Sequence, residues 1–156
     1  DILKDGTMDL SNEALERLDV VGASVHSLFS LPKEEQTRRI MRAMENPNVD
    51  IIFHPTGRVI NKRPAYEVDM AALIKKAKET GTILEIDAYP NRSDLKDEHI
   101  REAVKAGVRL SIDSDAHSTE HFSYLENGIA QARRGWASSH DVINTRPVDE
   151  MLKLLK

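Results

Sequence analysis

The sequence predicts an α/β fold in which parallel strands alternate with helices, either as an open doubly wound sheet or as part of a (β/α) barrel. Two observations point there. Four short apolar runs rich in β-branched residues recur along the chain, and an amphipathic stretch of helical period follows each.

The opening stretch Asp1–Asp9 reads as the tail of a strand or a hairpin with Asp5-Gly6 as its turn, and a short helix spans about Ser11 to Leu18. The first strand candidate is Asp19–Val25. After it, Thr37, Ile40, Met41 and Met44 hold the i, i+3, i+4, i+7 spacing of one helix face, with Pro32, Glu34 and Glu35 where a helix start favours them. The second strand is Val49–Phe53, and Met70, Leu73, Ile74 and Ala77 then repeat the helical spacing before Gly81 as a stop. The third strand, Thr82–Ile86, leads to a helix carrying Ile100, Ala103 and Val104 and ending at Gly107. The fourth, Val108–Ile112, precedes a helix with Leu125, Ile129 and Ala132 that closes on Arg133-Arg134-Gly135, where cations oppose the helix dipole. Val148, Met151, Leu152 and Leu155 form a closing helix after Pro147.

Composition bounds the function. The 156 residues carry 22 basic and 26 acidic side chains, a formal net charge of −4 and 40% hydrophobic residues, so residues 1–156 are expected to form a single soluble domain. No run approaches the roughly 20 apolar residues of a membrane span, and no basic-then-apolar signal opens the chain, so a cytoplasmic location is expected. With no cysteine at all, any metal must be held by nitrogen and oxygen. Aromatic residues make up 4%, which leaves few platforms for stacking nucleobases, and the mildly acidic balance makes phosphate contact a local matter.

The chemistry lies where the strands end. The first exits into His26-Ser27, the second into His54-Pro55-Thr56-Gly57-Arg58, and the fourth into Asp113-Ser114-Asp115-Ala116-His117-Ser118. In parallel α/β folds the C-terminal strand ends share one mouth, where ligands bind. Asp115 and His117 are two apart, so an extended segment points both to one side. With His26 and His54 they make a His, His, Asp, His set that suits Zn²⁺, Mn²⁺ or Fe²⁺ better than Ca²⁺ or Mg²⁺. Such an ion can acidify a bound water into a nucleophile, which implies hydrolysis. Arg58 offers a planar fork to a phosphate oxygen, whereas Lys62 and Arg63 read equally well as a solvated loop. Glu85 and Asp87 close the third strand, where they can support a ligand histidine, bind the ion or pair with a neighbouring lysine or arginine, the first being preferred, and His121 is a candidate support beside the Asp115 loop. His99 and His140 read as solvated or structural. No phosphate-cradling, dinucleotide-binding or nucleophile-elbow glycine motif is present, and Asn91-Arg92-Ser93 matches a glycosylation acceptor only by chance.

Ser24-Val25-His26-Ser27, Phe53-His54-Pro55-Thr56-Gly57-Arg58, Leu84-Glu85-Ile86-Asp87-Ala88, Asp115-Ala116-His117-Ser118, Ala132-Arg133-Arg134-Gly135-Trp136 and Ile143-Asn144-Thr145 together resemble the PHP (polymerase and histidinol phosphatase) domain of bacterial and archaeal family X DNA polymerases. The resemblance implies the C-terminal portion of a distorted (β/α)7 TIM-like barrel. It also implies up to three manganese or zinc ions at the mouth and a 3′-5′ exonuclease type of phosphoesterase acting on DNA 3′ ends. His26, His54, Asp115 and His117 match family metal ligands, and Arg58 matches the family motif. The family's opening His-x-His and Asp-His motifs, and a glutamate expected just before Asp1, have no counterpart here, and Asp87 stands where many relatives carry Asn. The expectation is therefore a piece of a longer protein with polymerase domains upstream, weak in metal binding and inactive by itself. A stand-alone phosphatase acting on a small phosphomonoester such as histidinol phosphate, or a degenerate module that only scaffolds a polymerase, are the competing readings.

Overall fold

The computed structural model describes residues 1–156. Its centre is a four-stranded parallel sheet of β1 (Gly22–Ala23), β2 (Ile51–Ile52), β3 (Ile83–Asp87) and β4 (Leu110–Asp113), in the order β1-β2-β3-β4. Six helices accompany it: α1 (Asn12–Leu15), α2 (Lys33–Met44), α3 (Met70–Thr80), α4 (Asp97–Ala106), α5 (Leu125–Arg134) and α6 (Val148–Leu152). Helix α2 packs on α3, α3 on α4 and α4 on α5, so consecutive crossovers lay consecutive helices side by side. Strand order without reversal, joined by crossovers of one hand, puts these helices on one face; a doubly wound sheet reverses its order at a switch point, and this one does not.

Alternation along the strands then divides the residues between two environments. Leu84, Ile86, Leu110 and Ile112 join Ile40, Met44, Leu73, Ile74 and Ile100 in the main core between sheet and helices. On the opposite face, Ile51, Ile83 and Ile143 form a second, small cluster covered by Phe53, Met151, Leu154 and Leu155, so the C-terminal segment crosses beneath the sheet. Glu85 and Asp87, two and four residues beyond Ile83, continue that second face, level with Ser111 and Asp113 of β4.

The helix boundaries follow their caps. Asp69 caps α3 by accepting the Ala72 N–H at 3.0 Å; Gly81 (φ 75°) and Gly107 (φ 72°), the stops the sequence predicts, end α3 and α4 in the left-handed conformation. The opening hairpin is present as well, with Ile2 bridged antiparallel to Met8, and Ile2 N–H donates to Ser24 O at 2.9 Å, just past β1. Arg39, buried on the inner side of α2, fixes this corner by donating to the carbonyls of Leu3 at 2.7 Å and Ser27 at 2.9 Å and to that of Ile2.

Three expectations need correction. Strands β1 and β2 keep two residues each, because side chains take over from the ladder: Val21 N–H goes to the Asp50 carboxylate at 2.8 Å and His54 N–H to Glu85. Helix α5 turns Gly128 and Ala132 inward and leaves Leu125 and Ile129 partly exposed, a rotation of the face its apolar spacing suggests. Helix α1 covers only Asn12–Leu15, and a 3₁₀ stretch, Thr119–Tyr124, fills the segment before α5. No helix is long and apolar enough to cross a membrane.

Candidate functional site

His26 follows β1 on the face opposite the helices, and Arg39 holds the carbonyl of the next residue, Ser27. His54 follows β2, where its backbone leaves the strand at φ 32° and its N–H is taken by Glu85. The two imidazoles meet edge to face with ring centroids 5.1 Å apart. Asp115, in the loop after β4, also holds a positive φ of 49°. Non-glycine residues in the left-handed region are uncommon and concentrate at functional sites, so two of the four candidate ligands carry that signature.

The hydrogen-bond partners fix which imidazole nitrogens are free. His117 Nδ1 lies 2.6 Å from the Asp115 carbonyl, an acceptor only, so Nδ1 carries a proton and Nε2 is the nitrogen left to face a ligand. His26 Nδ1 faces the Asp1 carboxylate, and the Ser24 Oγ lies 3.3 Å from Nδ1 and 3.5 Å from Nε2. His54 is buried to 6% exposure, and its Nδ1 is buried with no hydrogen-bond partner. Burial, then the positive charge of Arg92, pushes the His54 imidazole down to about 4, and the same causes hold His26 below its usual range. Both rings are therefore neutral near pH 7, the form that binds a metal ion.

An arginine stands among these groups. Arg92 Nε lies 3.0 Å from Asp115 Oδ2 and 3.3 Å from Asp87 Oδ2. Asp87 is fully buried and also accepts the Tyr89 N–H at 2.8 Å, while burial raises its carboxyl to about 7. Burial and the neighbouring Asp87 and Asp113 carboxylates raise Glu85 well above the usual range. Glu85 accepts the His54 N–H and so sits behind that residue's backbone. His121 likewise accepts the His117 N–H at Nδ1, 3.1 Å away, with its ring 5.3 Å from that of Tyr89 and stacked on Tyr124.

Arg58 is pinned. Its Nε donates to Arg92 O at 2.7 Å and its Nη2 to Ser93 O, so the guanidinium braces the loop that carries Arg92. Arg63 lies over the Phe29 ring at 4.0 Å and donates twice to Gly57 O. Gly57 has φ 59°, and a Cβ there would lie 2.4 Å from the Tyr66 ring, so the turn after His54 requires glycine. His99, on α4, faces Glu98 and Glu102, and His140 lies in the loop after α5, both apart from these groups.

The sequence reading missed Arg92, seen only inside the acceptor-like Asn91-Arg92-Ser93. The available signal was its place five residues past Asp87, in the one strand exit that supplies no histidine. Arg39 was missed because a charged residue on the inner side of an amphipathic helix gives no periodic signal.

By donor chemistry these residues fit a divalent ion: neutral imidazoles, a carboxylate and an unpartnered buried nitrogen on His54. The side chains do not form a ready-made cluster of three or more donors around one point. Arg92, rather than a third ligand, is the group that links Asp115 to the rest.

No protein-family profile matches the chain. Over all 156 residues it is 42% identical to the DNA polymerase/3′-5′ exonuclease PolX of Bacillus subtilis (strain 168), of which it spans 27%. It is 30% identical over 151 residues to a probable phosphatase of Thermoanaerobacter sp. (strain X514), spanning 59% of that protein. It is 37% identical over 120 residues to a probable phosphatase of Caldicellulosiruptor saccharolyticus, spanning 48% of it. The chain is thus similar along its whole length to about a quarter of a bacterial DNA polymerase/3′-5′ exonuclease, and along most of its length to about half of bacterial probable phosphatases.

Proposed function

We propose that the chain is part of a PHP-type, metal-dependent phosphoesterase domain of a family X DNA polymerase that hydrolyses DNA 3′-terminal phosphodiesters. The observation that carries this reading is the convergence of His26 and His54, at neighbouring strand exits, with the Arg92–Asp115 pair, within a chain similar throughout to a polymerase/exonuclease. The unreversed strand order suits one arc of a distorted (β/α)7 barrel wall, with the mouth at the C-terminal strand ends.

His26, His54, Asp115 and His117 would hold the divalent ions, manganese or zinc. Such an ion, when bound, polarises a phosphoryl oxygen and lowers the pKa of a water. The chain's own residues do the rest. His117 presents Nε2 because the Asp115 carbonyl takes its Nδ1 proton. Glu85 holds the His54 backbone and so aims that ring. Arg58 keeps Nη1 free of hydrogen bonds for a non-bridging phosphate oxygen while its other nitrogens steady the loop. The partners on this reading are DNA 3′ ends and the polymerase domains of the longer protein.

In the full-length protein, His117→Ala should abolish manganese-dependent 3′-5′ exonuclease activity and spare nucleotide transfer. Exonuclease activity retained in that variant contradicts the assignment. The probable phosphatases among the relatives favour a second reading, hydrolysis of a small phosphomonoester. Phosphatase turnover on such a substrate, with none on a DNA 3′ end, would decide for it.

A further inference from the structure

Arg92 is held from several sides. Its side chain is 19% exposed, and Nε sits between two carboxylates, 3.0 Å from Asp115 Oδ2 and 3.3 Å from Asp87 Oδ2. Its backbone N–H donates to Tyr89 O at 2.8 Å, and its carbonyl accepts from Arg58 at 2.7 Å. Nη1 is buried without a partner, so the head group is anchored along one edge only. Asp87 is independently fixed by the Tyr89 N–H and gives the guanidinium a second anchor if Asp115 is drawn away.

Asp115 is also the only carboxylate among the four candidate ligands, the one that brings negative charge to a cation. We propose that Arg92 is an internal cation that competes with a divalent ion for the Asp115 carboxylate and so sets the affinity of this site for metal. The inference rests on the metal-dependent reading above and concerns this chain's own charge arrangement.

The physical case is electrostatic. A guanidinium 3.0 Å from Asp115 Oδ2 has already neutralised the ligand that most attracts a divalent ion. An ion sharing that carboxylate lies within a few ångströms of the guanidinium, and like charges at such range in a part-buried site shift an affinity by an order of magnitude or more. Retreat of Nε onto Asp87 relieves that repulsion and leaves the carbonyl and N–H anchors of Arg92 intact. The alternative role, in which Arg92 holds Asp115 in the orientation that binds metal, predicts the opposite sign: loss of the arginine would weaken binding.

The test is Mn²⁺ binding to the full-length protein, read from the free-ion signal in electron paramagnetic resonance. Arg92→Gln should bind Mn²⁺ about tenfold more tightly than the wild type, equivalent to about 1.4 kcal/mol, and should unfold at a lower temperature in EDTA because Asp87 and Asp115 lose their counter-charge. Removing one partner of a buried pair can prevent folding, whereas removing both is better tolerated. Asp87→Asn alone is therefore compared with Asp87→Asn combined with Arg92→Gln, and the double variant should bind more tightly than the single one. Equal or weaker binding on loss of the arginine in both backgrounds overturns the competition. A wild type that binds no Mn²⁺ overturns the metal-dependent reading and this inference with it.

Discussion

Asp94 carries more of the site's geometry than its place in a loop suggests. It is fully buried, and its Oδ2 accepts the Thr56 N–H at 3.0 Å, tying the turn after His54 to the Arg92 loop. Burial raises its carboxyl from 3.8 to about 6. A carboxyl with a raised folded-state pKa contributes stability that is present in full below its unfolded value and is lost as pH rises through the folded one. Asp94→Asn, which keeps an acceptor for Thr56 but has no charge, should therefore gain relative to the wild type by about 2 kcal/mol between pH 4.5 and pH 8, measured by urea denaturation. A stability difference independent of pH would contradict the buried-carboxyl account. Arg58 gives a second test. Its removal leaves the carbonyls of Arg92 and Ser93 without their donors, and Arg58→Ala should cost about 2 kcal/mol of stability, with Arg58→Lys recovering only part because lysine cannot reproduce the fork. At this scale the positions of His26, His54, Asp115 and His117 past the strand ends were legible because each comes soon after an apolar run. Arg92, Arg39 and Asp94 were not, since their importance comes from partners far away in sequence: 23 residues to Asp115, 36 to Leu3 and 38 to Thr56.

The elements themselves were largely legible. Helical spacing marked α2, α3 and α4 closely, with glycine stops after α3 and α4, and all four strands were found. Strand lengths were less so, because an apolar run records burial, whereas a ladder requires a backbone partner at each step; at Val21 and His54 carboxylates provide the partner instead. The facing of α5 was misread for a related reason. Its contact with the sheet is made by small residues, since a Cβ on Gly128 would fall 2.5 Å from Ile112 Cγ2 and 2.8 Å from Ala88 Cβ. An apolar-period search favours large side chains and so picks Leu125 and Ile129. Gly128→Ala should force α5 away from β3 and β4 and cost about 1–3 kcal/mol despite alanine's better helix propensity, as judged by thermal or urea unfolding. A neutral or stabilising result would mean that α5 lies farther from the sheet than described.

Across the whole molecule, two faces of one sheet do different work. The helix-covered face carries the main core, while the other is closed by the C-terminal segment near its base and bears Glu85, Asp87 and Asp113 toward the strand ends. Leu155→Asp would put a charge against Ile51, Ile83 and Ile143 and should lower stability by about 2 kcal/mol or more, through loss of buried apolar area and burial of a charge. The strand-helix alternation was readable from the sequence at this scale, but the choice between a reversed and an unreversed strand order was not, because pairing order leaves no trace in local periodicity. Everything proposed for function depends on His26, His54, Asp115 and His117 binding divalent metal. Elemental analysis of the purified full-length protein and of its His54→Ala variant addresses that most directly. Stoichiometric manganese or zinc is expected in the wild type and a marked loss in the variant; a metal-free wild type, or a variant that retains the full complement, would contradict metal binding by these residues.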